Sequence, residues 1–297
     1  MNSTTEKAGL LHMKDVYKKY GTKVILDNID LTVKSGEFCT LVGPSGCGKS
    51  TLLRLVLGQE RVTDGEILID GDPVGFPDTD RGIVYQRYSL YPHLTVLQNV
   101  TLGMRLGAGL IERRRKGKQF RDEANYYLKR TGLDGHGSKY PHELSGGMQQ
   151  RVAIAQALVM RPKILLMDEP FGALDPGTRE DMQIFILELW KEYRMTVFFV
   201  THDLEEAVFL GTRILVLSQY YRDGRGESHG HRGAKIVSDY QCAAFASTEE
   251  KETPAFGKLI GDIRREGFDP AYRQHVTEFN LRHGDSYQTL SDEEMSL

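Results

Sequence analysis

The sequence predicts an α/β fold built on a mostly parallel sheet. Three observations carry that prediction. Short apolar runs at 38–42, 82–85, 164–167, 197–200 and 214–217 alternate with longer stretches of helical spacing. A glycine-rich loop at 43–48 joins the first of these strands to a helix. The apolar run 164–167 ends in two adjacent acids, Asp168 and Glu169. Strand–helix–strand alternation implies right-handed crossovers, and such sheets gather ligands at the carboxyl ends of their strands.

The elements follow in order. Residues 10–35 hold short apolar stretches broken by Gly21 and by Asp27 with Asn28, which reads as strands and turns. The run 38–42 is a buried strand and 50–57 a helix. Further strands are expected at 66–70 and 82–85. From 90 to 160 the spacing turns helical with charged faces, so a helical block is inserted between strands. The strands 164–167 and 197–200 flank a helix over 178–193. Residues 219–233, rich in Gly, Arg and His and including Tyr220 and Tyr221, read as a surface loop. Its His229 and His231 lack a third ligand nearby and read as solvated.

Residues 241–297 are expected to form a separate helical extension beyond a main domain at 1–240, whose helical subdomain spans about 88–160. Thr253 can cap a helix that Pro254 starts and Gly267 ends. Phe256, Leu259, Ile260 and Ile263 then share one face. A second helical unit is expected from 269 to 284, with Tyr272, Val276 and Phe279 on one side. Helices this short need a partner surface, either their own domain or a second subunit.

Bulk composition narrows the function classes. The 297 residues are 40% hydrophobic and 27% charged, with a net charge of −3. A near-neutral balance argues against nucleic acid as a partner, since backbone binding needs clustered positive charge. Three scattered cysteines, Cys39, Cys47 and Cys242, fit a reducing compartment rather than a disulfide framework. The polar N-terminus has no secretory pattern. No apolar run approaches the ~20 residues that span a bilayer, so a membrane role is expected to come through a partner.

Two segments carry chemistry on their own. Gly43, Pro44, Ser45, Gly46, Cys47, Gly48, Lys49 and Ser50 match the phosphate-binding pattern G-x-x-x-x-G-K-[ST], followed by Thr51. Backbone N–H groups of such a loop and of the helix it opens form an anion nest. Lys49 would reach the β- and γ-phosphates of a nucleotide, and Ser50 would offer an oxygen to Mg²⁺; the loop alone is shared by kinases, GTPases, helicases and many ATPases. Cys47, close to Lys49 and a helix N-terminus, is expected to favour the thiolate. Asp168 would hold Mg²⁺, and Glu169 would polarise an attacking water as general base. Paired acids alone would read as a solvated strand end; the phosphate loop on the same chain tips the balance.

The segment Leu144, Ser145, Gly146, Gly147, Met148, Gln149, with the run 151–158 behind it, resembles the signature of ABC transporter ATPases. The resemblance covers roughly 11–218. It implies an α/β P-loop ABC ATPase core with an antiparallel β-subdomain, an inserted helical subdomain and a C-terminal helical appendage. It implies ATP hydrolysis coupled to transport. Ser145, Gly146 and Gly147 would face the γ-phosphate bound by a second ATPase subunit. Tyr20 resembles the aromatic that stacks on adenine; a core tyrosine at a strand end is the plain alternative. Gln86 resembles the glutamine that senses Mg²⁺ and water, Asp175 ends the segment 172–175 that resembles the family's D-loop and is expected to bind nucleotide, and His202 resembles the histidine that contacts the γ-phosphate.

The resemblance also implies partners: a second ATPase subunit, transmembrane permease subunits on whose cytoplasmic side the chain would sit peripherally at the plasma membrane, and a periplasmic or extracellular solute-binding protein. Met148, where the signature usually has Gln, resembles the branch importing nitrate, sulfonates and taurine, so import of a small anion, sulfonate or nitrogen-containing solute is expected. An exporter or a non-transport ABC ATPase is the alternative. Tyr88 and Tyr91, following Gln86, fall where the family receives a permease helix. The cationic run 113–118 is compatible with contact to anionic lipid headgroups, but reads first as a solvated helix face.

Overall fold

The computed structural model describes residues 10–86, 89–226, 232–242, 251 and 253–296. The chain divides into two compact units, Met1–Pro77 with Thr196–Leu297, and Asp78–Met195. His229 and His231 lie outside the described residues, as does Tyr88.

The first unit opens with β1 (Leu11–Tyr20) and β2 (Lys23–Val33), paired antiparallel. β3 (Phe38–Val42) leads through the glycine loop into α1 (Lys49–Leu57). β4 (Asp64–Ile69) and β5 (Asp72–Pro73) join the first two in a four-stranded sheet of order β2-β1-β4-β5. Alternation along β1 buries Leu11 and Met13, and a register shift after Met13, with Asp15 at φ +51°, brings Val16 to the buried face.

The second unit follows. β6 (Arg81–Val84) pairs in parallel with β7 (Ile164–Asp168), and between them lie α2 (Val96–Gly107), α3 (Leu110–Arg115), α4 (Gly117–Arg130) and α5 (Gly146–Leu158). α6 (Pro176–Tyr193) closes this unit. Thr95 and Gln98 form a reciprocal capping box that fixes the start of α2. α2 packs on α4 and α5, and its Val96 and Val100 are buried.

The chain then returns to the first unit. β8 (Thr196–Val200), α7 (Leu204–Leu210) and β9 (Arg213–Ser218) complete its central layer. β3 lies between β8 and β9, parallel to both, and every residue of the three strands is buried. Continuous runs such as Phe-Cys-Thr-Leu-Val are what a parallel strand covered on both faces requires. β10 (Tyr221–Arg222) and β11 (Lys235–Gln241) follow, with β11 antiparallel to β9.

The described part of 219–233 is not a free surface loop. Tyr221 is buried and its hydroxyl donates to Asp27 Oδ2 at 2.8 Å. Arg225 pairs with Asp27 at 2.8 Å and with the fully buried Asp223 carboxylate at 2.6 Å. A short sequence window shows Gly and Arg as loop-like; it does not show Asp27, 194 and 198 positions from Tyr221 and Arg225, which holds them.

α8 (Pro254–Phe268) forms as expected, with Thr253 Oγ1 accepting from Phe256 N–H at 3.3 Å. It packs on α7, β9 and β11, and its Phe256 and Ile263 are buried. The second helix expected at 269–284 does not form. That stretch holds β12 (Gln274–His275), a 3-10 turn at Val276–Glu278 and β13 (Asn280–Leu281), and α9 (Asp292–Met295) comes later. β12 pairs with β10 and β13 with the edge of β11. An unpaired strand edge offers backbone partners that a short helix in water lacks, and here that tertiary pairing overrides helical spacing.

Candidate functional site

In the first unit the loop after β3 turns on glycines in conformations other residues avoid. Gly43 has φ +154° and Gly48 φ +105°. A Cβ on Gly43 would stand 2.1 Å from the Leu217 carbonyl oxygen, and one on Gly48 2.9 Å from Ile25 Cγ2 and Leu26 Cδ2. Both positions therefore exclude side chains, as a backbone cradle for a phosphate requires. Gly48 is the N-cap of α1 and supplies no side-chain oxygen, so the first-turn N–H groups, including those of Ser50 and Thr51, stay available to an anion. Lys49 is buried, and its ammonium donates to the carbonyls of Gly43 at 2.7 Å and Pro44 at 3.0 Å. Ser45 and Gly46 stand exposed at the tip. This donor set fits a triphosphate, with the Ser50 hydroxyl suited to a hard cation such as Mg²⁺.

Cys47 requires a correction. It is 2% exposed, and burial raises its thiol more than the Lys49 ammonium and nearby amides lower it. The thiolate is disfavoured, contrary to the sequence expectation, which rested on neighbouring charge alone. Its contribution to the loop is the backbone N–H. We expect maleimide to label Cys47 in the native protein at least about tenfold more slowly than an unhindered thiol at neutral pH, with labelling faster as pH rises. Peptide mapping of the adduct measures this, and rapid stoichiometric labelling at pH 7 would contradict it.

Tyr20 ends β1 with its ring 45% exposed. Its hydroxyl donates to Glu60 Oε2, and the Lys18 ammonium sits 4.9 Å from the ring centroid. Glu60 also accepts from Lys18 at 2.9 Å and Arg54 at 3.0 Å. Burial pushes the Glu60 carboxyl up, but the three hydrogen bonds outweigh it and hold it down to about 2. The phenol is thus fixed at its polar end while the ring remains available for stacking. Glu60 was not legible as a site residue: only its place just after the Gly58 cap of α1 hinted at it.

His202 follows β8, exposed between two anchored neighbours. Thr201 is buried and its hydroxyl donates to Glu206 Oε2 at 2.6 Å. Asp203 caps α7, accepting from the N–H groups of Glu205 and Glu206. The backbone on both sides of the imidazole is therefore fixed.

In the second unit β7 delivers Asp168 and Glu169, both half-buried, at its carboxyl end. Glu169 sits at φ +47°, a left-handed conformation that costs a non-glycine residue about 1–3 kcal/mol. Gln86 Nε2 donates to Glu169 Oε2 at 2.9 Å. The structure brings these two together across 83 positions. Ser145 caps α5 by accepting from Met148 N–H at 3.3 Å, leaving Gly146 and Gly147 in the first turn. Asp175 caps α6, accepting from Thr178 N–H at 3.0 Å, and that backbone donor holds its carboxyl low.

Among the described residues one cluster has metal-competent side chains, Glu37, His283 and Asp285. Its carboxylates already face cations, Arg213 at 3.2 Å from Glu37 and Lys34 at 2.7 Å from Asp285. Burial and Arg213 also push the His283 imidazole down. The cluster acts as a latch between the tail and the start of β3.

Comparison with known proteins gives one answer. The family pattern described as ABC transporter matches residues 26–172. The nitrate import ATP-binding protein NrtD of Synechocystis sp. is 50% identical over 200 residues, covering 67% of this chain and 73% of that protein. The aliphatic sulfonates import ATP-binding protein SsuB of Bacillus anthracis is 43% identical over 205 residues, 69% of this chain and 78% of that protein. Among solved structures, a dimeric post-hydrolysis state of an ATP-binding cassette bound to ADP and Pi matches with TM-score 0.66 and 34% identity, over 79% of this chain and all of that one. Among the described residues no helix is long and apolar enough to cross a membrane.

Proposed function

The chain belongs to the ATP-binding subunits of ABC transporters, and from that premise we propose that it powers import of a small anion, sulfonate or nitrogen-containing solute. It is an ATPase coupled to transport. The observation that carries the import reading is the identity to nitrate and sulfonate import subunits, joined by Met148 in the signature. We assign the ATPase cassette to 1–240 and an extension to 241–297.

The residue roles follow from the chemistry of each group. The N–H groups of the 43–51 loop and helix start, with the Lys49 ammonium, bind the phosphates, and the Tyr20 ring stacks on the base. Bound Mg²⁺ would draw charge from the phosphate oxygens, with Ser50, Gln86 and Asp168 as its holders. Glu169 takes the proton of the attacking water, Gln86 keeps that carboxylate oriented, and His202 donates to the γ-phosphate. The α5 N-terminus at Ser145, Gly146 and Gly147 serves the nucleotide of a second ATPase subunit, and Asp175 takes part in nucleotide binding. Permease subunits and a periplasmic or extracellular solute-binding protein complete the assembly, which places the chain peripherally on the cytoplasmic face of the plasma membrane.

The second unit also holds a groove of about 450 Å³ lined by Ser89, Tyr91, Leu106, Ala153, Gln156 and Met160. We assign it to a permease helix. Buried Asn99 pins the Tyr91 main chain, accepting from its N–H at 2.8 Å and donating to its carbonyl at 3.2 Å, while the ring stands 47% exposed. Tyr91→Ala is expected to weaken assembly with the permease about tenfold with ATP binding unchanged, the loss typical of an aromatic interface anchor. Co-purification of the tagged complex measures it; full recovery removes Tyr91 from the contact. The solute is tested with the complex in proteoliposomes: nitrate or an alkanesulfonate, delivered with its binding protein, should raise ATP turnover and accumulate inside. Outward movement of solute on ATP addition would overturn the import reading.

A further inference from the structure

The corner between α2 and α3 carries an apolar tip set among cations. Leu110 is 82% exposed and Ile111 86% exposed. They open α3, directly after Ala108 and Gly109. Arg113 Nε donates to the Ala108 carbonyl at 2.9 Å, which closes the corner and fixes the tip. The segment 105–121 holds seven Lys and Arg residues and a single carboxylate, in a chain whose net charge is −3. That carboxylate, Glu112, is already matched by Lys116 at 2.6 Å.

The helical spacing decides what such a tip can meet. Arg114 lies one turn beyond Leu110, and Arg115 one turn beyond Ile111, so each aliphatic side chain shares a face with an exposed guanidinium. Apolar tips leading and long cationic side chains behind them are the arrangement of an interfacial membrane anchor: the aliphatic groups enter the acyl boundary while the cations reach the headgroup phosphates. A nucleic acid would answer the charge but not the two exposed aliphatic residues. We infer that this corner is a direct contact with an anionic lipid surface. The inference does not depend on the ATPase assignment, since none of these residues belongs to the nucleotide site.

The test uses the full chain with vesicles of phosphatidylcholine alone or mixed with phosphatidylglycerol. The protein should co-sediment with the mixed vesicles only, and high salt should release it. Arg114→Ala combined with Arg115→Ala should lower the partition coefficient about 30-fold. Leu110→Ser combined with Ile111→Ser should lower it about tenfold or more. Both variants should keep wild-type ATP turnover, which also shows that they are folded; Arg113 is left in place because it holds the corner. Equal binding to neutral vesicles overturns the inference, and so does binding that neither double variant changes. Absence of binding to mixed vesicles, with the same residues shielded from labelling in the permease complex, would assign the corner to a protein partner instead.

Discussion

Glu169→Gln should leave ATP binding intact and lower steady-state turnover by about 10²–10⁴-fold, the usual range for loss of a positioned base. The amide keeps the size of the carboxylate and an oxygen that can still accept from Gln86, whose Nε2 lies 2.9 Å from Glu169 Oε2 in the native chain. The substitution therefore removes proton affinity with little change in packing. The backbone supports the assignment. Glu169 holds φ +47° directly after a buried strand, and a residue kept in that region without a glycine signals a side chain whose placement matters. With hydrolysis blocked and binding kept, the ATP-bound dimer should accumulate and run as a dimer in size-exclusion chromatography with Mg-ATP. Turnover within a few-fold of wild type would remove Glu169 from the role of base.

The parts of the fold that were legible in sequence are those whose determinants are local. β3, β7 and β8 read as strands because burial on both faces demands unbroken apolar runs. The glycine loop after β3 was legible because its spacing records steric needs, as at Gly43 against Leu217 O and Gly48 against Ile25 and Leu26. Long-range partners left no such trace. Tyr20 was legible as an aromatic at a strand end, but the three donors that converge on Glu60 were not. Cys47 was misread because nearby charge is visible in sequence whereas the walls that bury it are not. The stretch 269–284 was misread because Tyr272, Val276 and Phe279 satisfy helical spacing equally well; the free edges of β10 and β11 made the decision.

Ending the chain after Tyr240 should cost most of its thermal stability and leave the association of any remaining folded subunits unchanged. The described tail packs on its own unit, which favours intramolecular packing over a dimer contact. Phe256, Ile263 and Val276 are almost fully buried, and at about 1.5–3 kcal/mol each they contribute about 4.5–9 kcal/mol, an upper figure because unfolded chains already bury some surface. Whole domains are stable by only about 5–15 kcal/mol. Polar groups add to the loss. Glu266, buried on α8, accepts from Ser238 Oγ at 2.6 Å, from the Tyr240 hydroxyl and from Asn280 Nδ2 at 3.1 Å, so truncation takes the acceptor from two residues that remain. Lys235, 1% exposed in the full chain, would lose its ion pair with Glu294 at 2.8 Å. Glu294→Gln isolates that last effect and should destabilise the full chain by about 3 kcal/mol. Burial raises the Glu294 carboxyl, but Lys235, backbone donors and Arg225 outweigh it and hold it below its ordinary value of 4.5. A carboxyl lowered in the folded state adds stability above its unfolded value, so the pair's contribution is present at neutral pH and fades as pH falls below 4.5 through the lower folded value. The difference in melting temperature between wild type and Glu294→Gln should therefore be large at pH 7 and shrink in acid. A truncated chain that melts with the full-length protein, or a Glu294→Gln gap that does not narrow in acid, would show that the tail's packing and this ion pair contribute nothing measurable.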